Sequence, residues 1–380
     1  MTIRNGPLHG VTVLDLTGFI FGPYATQTLG DLGADVIKIE SPEGDGQRRG
    51  TKHAKNENMG AGFMTLNRNK RSVTLDLKTD DGREQLQRMV PSAQVFIHNV
   101  RADAIARLGF SYDDVARLNP SIVYAHCVGY GSDGPYAGRQ AFDDLVQAAS
   151  GAADLMPRVD GNPDMRLLPT FVADKVSGLH ALYAVLAALF HRERTGEGQF
   201  VEVPMLECFT SFMMVEHLYG ATFEPAVSHV GHSAALANDR RPLQTKDGHI
   251  AIQPVSRSAA AKFLELGGIP GAYESDRFVN AKGSKGKVLA YYEMLREAAG
   301  ARTTEEWMRL GEEHRIPIMR ANTLDEVLED PHLKAVGFFE IREHPTEGGW
   351  RAMKPPVKFS KTPASIRLDP PMSGANNEEF

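Results

Sequence analysis

The sequence is poor in cysteine, in net charge and in long apolar runs, and each shortage excludes a class of protein. Its 380 residues contain two cysteines, Cys127 and Cys208, which are far apart and form no CxxC pair. We therefore expect a reducing, cytoplasmic environment and no metal site. The net charge is −6, which offers no overall basic field for nucleic acid. The N-terminal residues show no secretory signal, and the longest apolar run, 181–190, has about half the length of a membrane span.

What is present is the composition of a globular protein, with 42% apolar and 24% charged residues. Short β-rich runs alternate with helix-like segments through the first half of the chain. The runs typical of strands are 11–16, 35–40, 72–77, 93–100, 121–130 and 199–206. Strands and helices that alternate at this spacing predict an α/β fold with a Rossmann-like parallel sheet.

The pattern changes after about residue 220, which predicts a second domain. We expect a large domain over 1–224 and a smaller α+β domain over 225–325, with a hairpin that turns at Asp247-Gly248. Residues 326–380 contain several prolines and are expected to return to the large domain as extended chain. The last eight residues, SGANNEEF, are predicted to be a loose tail.

One aspartate stands at the start of the long apolar segment FVADKVSGLHALYAVLAALF, residues 171–190. A helix is predicted from Asp174 to about Arg194, and because it is apolar nearly all round we expect it to be central and buried. Asp174 could simply cap this helix. It could also be a nucleophile whose ionised form is favoured by the helix N-terminus. The adjacent Lys175 is expected to be a solvated or structural charge.

A glycine-rich stretch, GYGSDG at 129–134, fits the G-x-G-x-x-G pattern and follows a predicted strand. It follows a late strand, however, whereas the dinucleotide-binding fingerprint belongs to the first strand of the sheet. Gly138 also comes too soon for a good helix after Pro135. We therefore predict an ordinary loop here and no nicotinamide cofactor.

Several stretches together resemble the class III CoA-transferase family, of the formyl-CoA and carnitine CoA-transferase type. They include GVTVLDLTGFIFGPYATQTLGDLGADVIKIESPEGD, NRNKRSVTLDLKTDDGRE, AQVFIHNVRADAIARLGFSYDDV and ADKVSGLHALYAVLAALFHRERTGEGQFVEVPMLE. The resemblance implies a two-domain α/β chain, an interlocked homodimer, and transfer of coenzyme A from an acyl-CoA to a small carboxylic acid. CoA is then a substrate, and no permanently bound cofactor is expected. The catalytic aspartate of the family corresponds to Asp174.

The resemblance also implies contacts for CoA, which carries an anionic 3′-phospho-ADP group. The corresponding positions are Leu75, Lys78, Asn99, Arg101, Arg107 and Phe142, the last of them near the thioester. The chain departs from some family members at four places. Ile20-Phe21 replaces a turn containing glutamine, Ser41 replaces a basic residue, Gln140 replaces a lysine, and no glycine-rich shielding loop is apparent. The Ile20-Phe21 pair suggests a larger or more apolar acyl group than formate or oxalate.

Three other functions remain open at this point. An α-methylacyl-CoA racemase would share the fold but needs a histidine base, and no histidine lies between His126 and His180. A non-catalytic CoA-binding protein would not need Asp174. A hydrolase would need a path for water, and the chain has no G-x-S-x-G motif of a serine thioesterase.

Overall fold

The computed structural model describes residues 6–50, 54–254 and 256–380. The first five residues of the N-terminal segment discussed above lie outside these ranges. The chain forms two compact units. A large unit contains Met1–Val230 and Gly337–Phe380, and a small unit contains Gly231–Val336.

The unit boundaries lie later in the chain than the predicted 224/225 and 325/326. Val230 stays with the large unit because its carbonyl accepts a hydrogen bond from Arg158 at 3.1 Å. Residues 326–336 also belong to the small unit, and Asp330 in this stretch accepts a hydrogen bond from Asn322 at 3.1 Å.

The large unit is built on a six-stranded sheet in which all the paired strands are parallel. The strands are β1 (Thr12–Leu16), β2 (Asp35–Glu40), β3 (Lys70–Thr74), β4 (Val95–His98), β5 (Val123–Val128) and β6 (Gln199–Pro204). Their order, β3-β2-β1-β4-β5-β6, is that of a Rossmann-type sheet, which takes ligands where the order reverses, beyond the carboxyl ends of β1 and β4. The α/β prediction is confirmed.

Helices cover both faces of this sheet. They are α1 (Phe21–Asp31), α2 (Ala61–Leu66), α3 (Asp80–Met89), α4 (Ala102–Arg107), α5 (Tyr112–Leu118), α6 (Asp143–Ala149), α7 (Leu155–Asp160), α8 (Val172–Thr195) and α9 (Met205–His217). One face packs α1, α6, α8 and α9 into an apolar core, and the other packs α3, α4 and α5. Both faces of the central strands are therefore buried, and the charged side chains on them, such as Asp15 and Lys38, are paired inside the fold.

Helix α8 is long and apolar enough to cross a membrane by length and composition, but core helices of soluble proteins pass the same test. Our prediction that it is buried all round is wrong for the single chain. A stripe of small residues, including Ala173, Ser177 and Gly178, packs closely inward, and a Cβ on Gly178 would lie 2.8 Å from the Phe21 carbonyl oxygen. The other side leaves Tyr183 and Phe190 exposed.

The small unit has its own core around Trp307, which stacks on Phe263 with 4.2 Å between ring centroids. Its antiparallel sheet contains β7 (Leu243–Gln244), β8 (His249–Ile252) and β9 (Ile318–Arg320). Its helices are α10 (Arg257–Leu266), α11 (Asp276–Val279), α12 (Gly283–Gly300), α13 (Thr304–His314), α14 (Leu324–Val327) and α15 (Pro331–Ala335). Gln244 pairs with His249, which confirms the predicted hairpin, but the Thr245 N–H donates to the Gly248 carbonyl at 2.9 Å, so the turn is centred one residue earlier than predicted, on Lys246-Asp247.

The C-terminal segment returns to the large unit, beginning with the hairpin of β10 (Phe339–His344) and β11 (Gly348–Met353). The prediction of a loose tail is wrong. The Ser72 N–H donates to Asn376 at 2.9 Å and the Thr74 N–H to Asn377 at 2.8 Å, and Arg71 lies over the Phe380 ring. The tail thus satisfies the backbone donors of β3, the edge strand, which would otherwise be free.

Candidate active site

The turn between β1 and α1 forms one wall of the site. Asn99, which follows β4, clamps this turn because its side chain accepts from the Gly18 N–H at 3.0 Å and donates to the Gly18 carbonyl at 2.9 Å. The Phe19 N–H donates to Asp45 Oδ1 at 3.2 Å. Lys38, fully buried, donates to the Thr17 carbonyl at 2.7 Å and pairs with Asp45 at 2.9 Å. The buried ion pair of Lys38 and Asp45 therefore holds this turn in position.

Asp174 lies in the first turn of α8, beside this wall. It is not the N-cap, which is Phe171 and makes no side-chain cap hydrogen bond. The N–H of Asp174 donates instead to Asp143 Oδ1, in α6, at 3.0 Å. The carboxyl group of Asp174 accepts from the backbone N–H of Phe21, which is free because it belongs to the first turn of α1.

The electrostatic environment of Asp174 is unusual for an aspartate. Burial, and next the negative charge of Asp143, raise the pKa of Asp174 to about 7. The Phe21 N–H lowers this pKa, but by a smaller amount. We expected the helix start to favour the ionised form, but removal from water outweighs this. Asp174 is therefore a carboxyl group that titrates near neutral pH, a property common at catalytic positions.

Two exposed aromatic rings belong to the two segments that contact Asp174. Phe19 and Phe142 meet edge to face, with 6.4 Å between centroids. Phe142 directly precedes Asp143, and Phe19 lies two residues before Phe21. Phe21 itself is buried in the core, so the expectation that Ile20 and Phe21 together shape the acyl site is wrong for Phe21. Sequence reasoning missed Phe19 and Asp45, and it missed the contact between Asp143 and Asp174.

The predicted CoA residues gather at the carboxyl edge of the sheet. A cavity of about 240 Å³ opens there at the ends of β1, β2 and β3 and beside the residue that follows Asn99. Leu75 and Lys78 line it, together with Val100 and Leu108. Ser41 also lines it, so the basic residue that some family members carry is missing from this wall.

The two predicted arginines flank this cavity. Arg107 is the last residue of α4, and Arg101 directly precedes the first residue of that helix. Arg107 pairs with Asp103 at 2.8 Å and Arg101 lies 3.8 Å from the same carboxylate. Both are largely exposed, so these pairs contribute little to stability. An anionic ligand can therefore compete for either arginine at small cost.

The glycine-rich loop is confirmed as a loop and does not suit a phosphate. The Gly131 N–H donates to Glu207 at 2.9 Å and the Ser132 N–H to Glu202 at 3.0 Å. Two carboxylates thus already occupy the donors that would cradle an anion.

The histidines do not supply a base for Asp174. His126 contacts the Val100 carbonyl at 2.9 Å, and His180 contacts the Val176 carbonyl of its own helix at 2.9 Å. Within the described ranges, no group of three or more His, Cys, Asp or Glu side chains is placed to hold a metal ion. A larger open concavity of about 850 Å³ in the small unit, along α13, contains none of the predicted residues.

Comparison with known proteins agrees with this geometry. Residues 8–377 match CoA-transferase family III. A probable fatty acyl-CoA transferase of Mycobacterium tuberculosis is 31% identical over 98% of this chain and 97% of its own length. A succinate–glutarate CoA-transferase of Agrobacterium fabrum is 28% identical over 100% of this chain and 96% of its own length. A formyl-CoA:oxalate CoA-transferase of Streptomyces coelicolor is 29% identical over 98% of this chain and 93% of its own length.

Solved structures agree over nearly the whole chain. A CAIB/BAIF family protein from Brucella suis superposes with a TM-score of 0.84 at 27% identity, covering 99% of this chain and 98% of its own. A crystal structure of the mycobacterial protein gives 0.82 at 28% identity, covering 99% of both chains. With the sequence match extending from residue 8 to residue 377, the chain belongs to CoA-transferase family III and is an enzyme of the CoA-transferase type.

Proposed function

We propose that the protein transfers CoA between carboxylic acids with Asp174 as the nucleophile. An oxygen of the Asp174 carboxylate attacks the carbonyl carbon of an acyl-CoA, the carbon–sulfur bond breaks, and CoA leaves as a thiolate. The product is a mixed anhydride between Asp174 and the acyl group. The thiolate then attacks the Asp174 carbonyl carbon, which gives an aspartyl-CoA thioester and releases the donor acid as its carboxylate.

The second half of the reaction repeats these steps in reverse with the acceptor. The acceptor carboxylate attacks the aspartyl-CoA carbonyl, forming a new anhydride and free thiolate. The thiolate attacks the acceptor carbonyl carbon, so the new acyl-CoA leaves and the Asp174 carboxylate is restored. One thioester replaces another, so the sequence of steps balances without ATP.

The observation that carries the proposal is the setting of Asp174. It is a largely buried carboxyl group with a raised pKa and one backbone donor, so its ionised form is poorly solvated. Weak solvation favours attack by an otherwise weak nucleophile. Burial also keeps water from the anhydride, which water would hydrolyse.

We assign the cavity beside the carboxyl ends of β1 to β3 to the nucleotide part of CoA. Leu75 and Leu108 offer apolar surface for a base, while Lys78, Arg101 and Arg107 can meet the phosphates. Asn99 is already bonded to the Gly18 backbone, so its role here is to hold the turn that faces Asp174.

We also propose the interlocked homodimer. Exposed apolar side chains of α8 and α9, including Leu179, Tyr183, Phe190, Phe212 and Val215, support a surface that a second copy covers. Light scattering should give twice the chain mass, and Val215→Glu should lower it. Val357→Glu, at an exposed apolar position in the C-terminal segment, is the matched control and should leave the mass unchanged.

The test of the mechanism is covalent trapping. The protein is incubated with acyl-CoAs that include succinyl-, formyl- and fatty acyl-CoA, the groups in the names of its relatives, and quenched with hydroxylamine. We expect a hydroxamate at Asp174 in peptides covering residues 171–192, and none in Asp174→Ala. Asp133→Asn, which changes an exposed loop carboxylate, should label normally. Exchange of the α-hydrogen with deuterated solvent in the absence of labelling would contradict the proposal and favour a racemase.

A further inference from the structure

Phe19 adopts a conformation that its own packing does not explain. Its φ is 65°, in the left-handed region that non-glycine residues seldom occupy. Its side chain remains 53% exposed, so burial offsets little of the backbone cost. A glycine would satisfy the turn without strain, which means that the ring itself is the distinctive feature of this position.

The surroundings hold the ring in place. The Phe19 N–H is bonded to Asp45, and the neighbouring Gly46 leaves room, because a Cβ there would lie 2.9 Å from the ring. Phe142, itself 57% exposed, meets the ring edge to face. Two half-exposed aromatic side chains thus form one apolar surface.

This pair joins the two segments that contact Asp174. Phe19 belongs to the turn that leads to the Phe21 N–H, the donor to the Asp174 carboxyl group. Phe142 precedes Asp143, which accepts the Asp174 N–H. An acyl group bonded to Asp174 therefore starts between these two segments.

The charges nearby favour an uncharged acyl group. The charge that acts on the Asp174 carboxyl is the negative one of Asp143, whose Oδ1 accepts from the Asp174 N–H at 3.0 Å. A second carboxylate on the donor would be repelled by Asp143 as well as by Asp174. An apolar or aryl acyl group would meet the two rings instead.

We propose that Phe19 and Phe142 form an aromatic clamp that selects apolar or aryl acyl groups over formyl and dicarboxylic ones. This inference rests on the proposed function of Asp174 and adds the substrate class. It replaces the expectation attached to Phe21, whose ring faces the core.

The test compares kcat/KM for a medium-chain acyl-CoA, benzoyl-CoA, acetyl-CoA and succinyl-CoA, with acetate as the acceptor except for acetyl-CoA, whose acceptor is propionate. The wild-type enzyme should prefer the first two donors. Phe142→Ala and Phe19→Gly should lower their kcat/KM by about 10- to 200-fold, the range typical of apolar contacts. The value for acetyl-CoA, whose methyl group offers little apolar surface to the rings, should fall by a smaller factor than the values for the first two donors.

Two controls separate selection from folding. Phe19→Gly keeps the left-handed turn, so its Tm should equal or exceed that of the wild type. Phe200→Ala removes another half-exposed ring, one that packs on Tyr112 and Tyr124 in the large unit, and should keep the preference. Equal kcat/KM for all donors in the wild type, or a preference unchanged in both clamp variants, would overturn the clamp while leaving the nucleophile intact. No turnover and no Asp174 labelling with any donor would overturn the proposed function and the clamp together.

Discussion

Replacing Asp174 by asparagine should make the folded protein more stable while abolishing transfer. The pKa of Asp174 is raised from 3.8 to about 7 in the fold. The unfolded chain therefore ionises as pH rises above 3.8, whereas the folded chain retains its proton until about pH 7. Because a tenfold change in proton affinity is worth about 1.36 kcal/mol, the loss of stability reaches about 4 kcal/mol above pH 7.

The asparagine side chain has nearly the same shape, can still accept from the Phe21 N–H, and does not ionise. The Tm of Asp174→Asn should equal that of the wild type near pH 4 and exceed it by roughly 8 °C near pH 8. Thermal unfolding followed by circular dichroism across this range measures the difference. Asp133→Asn, at an exposed loop carboxylate, should shift Tm little at any pH. A Tm gain for Asp174→Asn that is absent at pH 8, or constant with pH, would refute the reasoning.

Three further outcomes follow from the same structure. Asp143→Asn removes the like charge, so the pKa of Asp174 should fall and the rising limb of the kcat/KM profile should move to lower pH; an unmoved limb would contradict the coupling. Lys175→Met removes a lysine that bonds Thr170 at 2.7 Å, and kcat/KM should stay within about threefold, since a larger loss would give Lys175 a catalytic role. Burial, and next the charge of the neighbouring His126, lower the pKa of His98 well below 6.5. The unfolded state alone takes up this proton as pH falls, so the stability of His98→Leu relative to the wild type should increase as the pH falls below 6.5, measured by urea unfolding, and identical pH profiles would refute this.

The sheet could be predicted from the sequence because short β-rich runs alternate with helix-like segments, but the limits of β3 could not. The apolar alternation of 72–77 predicts a strand that begins at residue 72, whereas β3 begins at Lys70. Lys70 can lie inside the fold because its ammonium group pairs with the buried Asp15 at 3.0 Å. Leu75, counted as strand, instead lines the cavity assigned to CoA. A buried ion pair depends on a partner 55 residues away, which local patterns do not contain.

The candidate site was predictable where a residue belongs to a recognisable motif. Asp174 stands in such a motif, and Leu75 and Lys78 share one cavity. Phe19 gave no signal because its importance comes from a left-handed backbone and from a ring contact with Phe142. Likewise, Asp143 could not be linked to Asp174 before the fold brought α6 and α8 together.

The return of the C-terminus to β3 has a consequence for synthesis on the ribosome. The large unit is discontinuous, so its first 230 residues emerge before the small unit and its last 44 emerge after it. Until then Arg48 lacks the Pro371 carbonyl that it contacts at 3.2 Å, and the donors of Ser72 and Thr74 on the edge strand await Asn376 and Asn377. The nascent chain thus carries an open sheet edge through the translation of a whole second unit, and a fusion at the C-terminus would be attached to the segment that closes it.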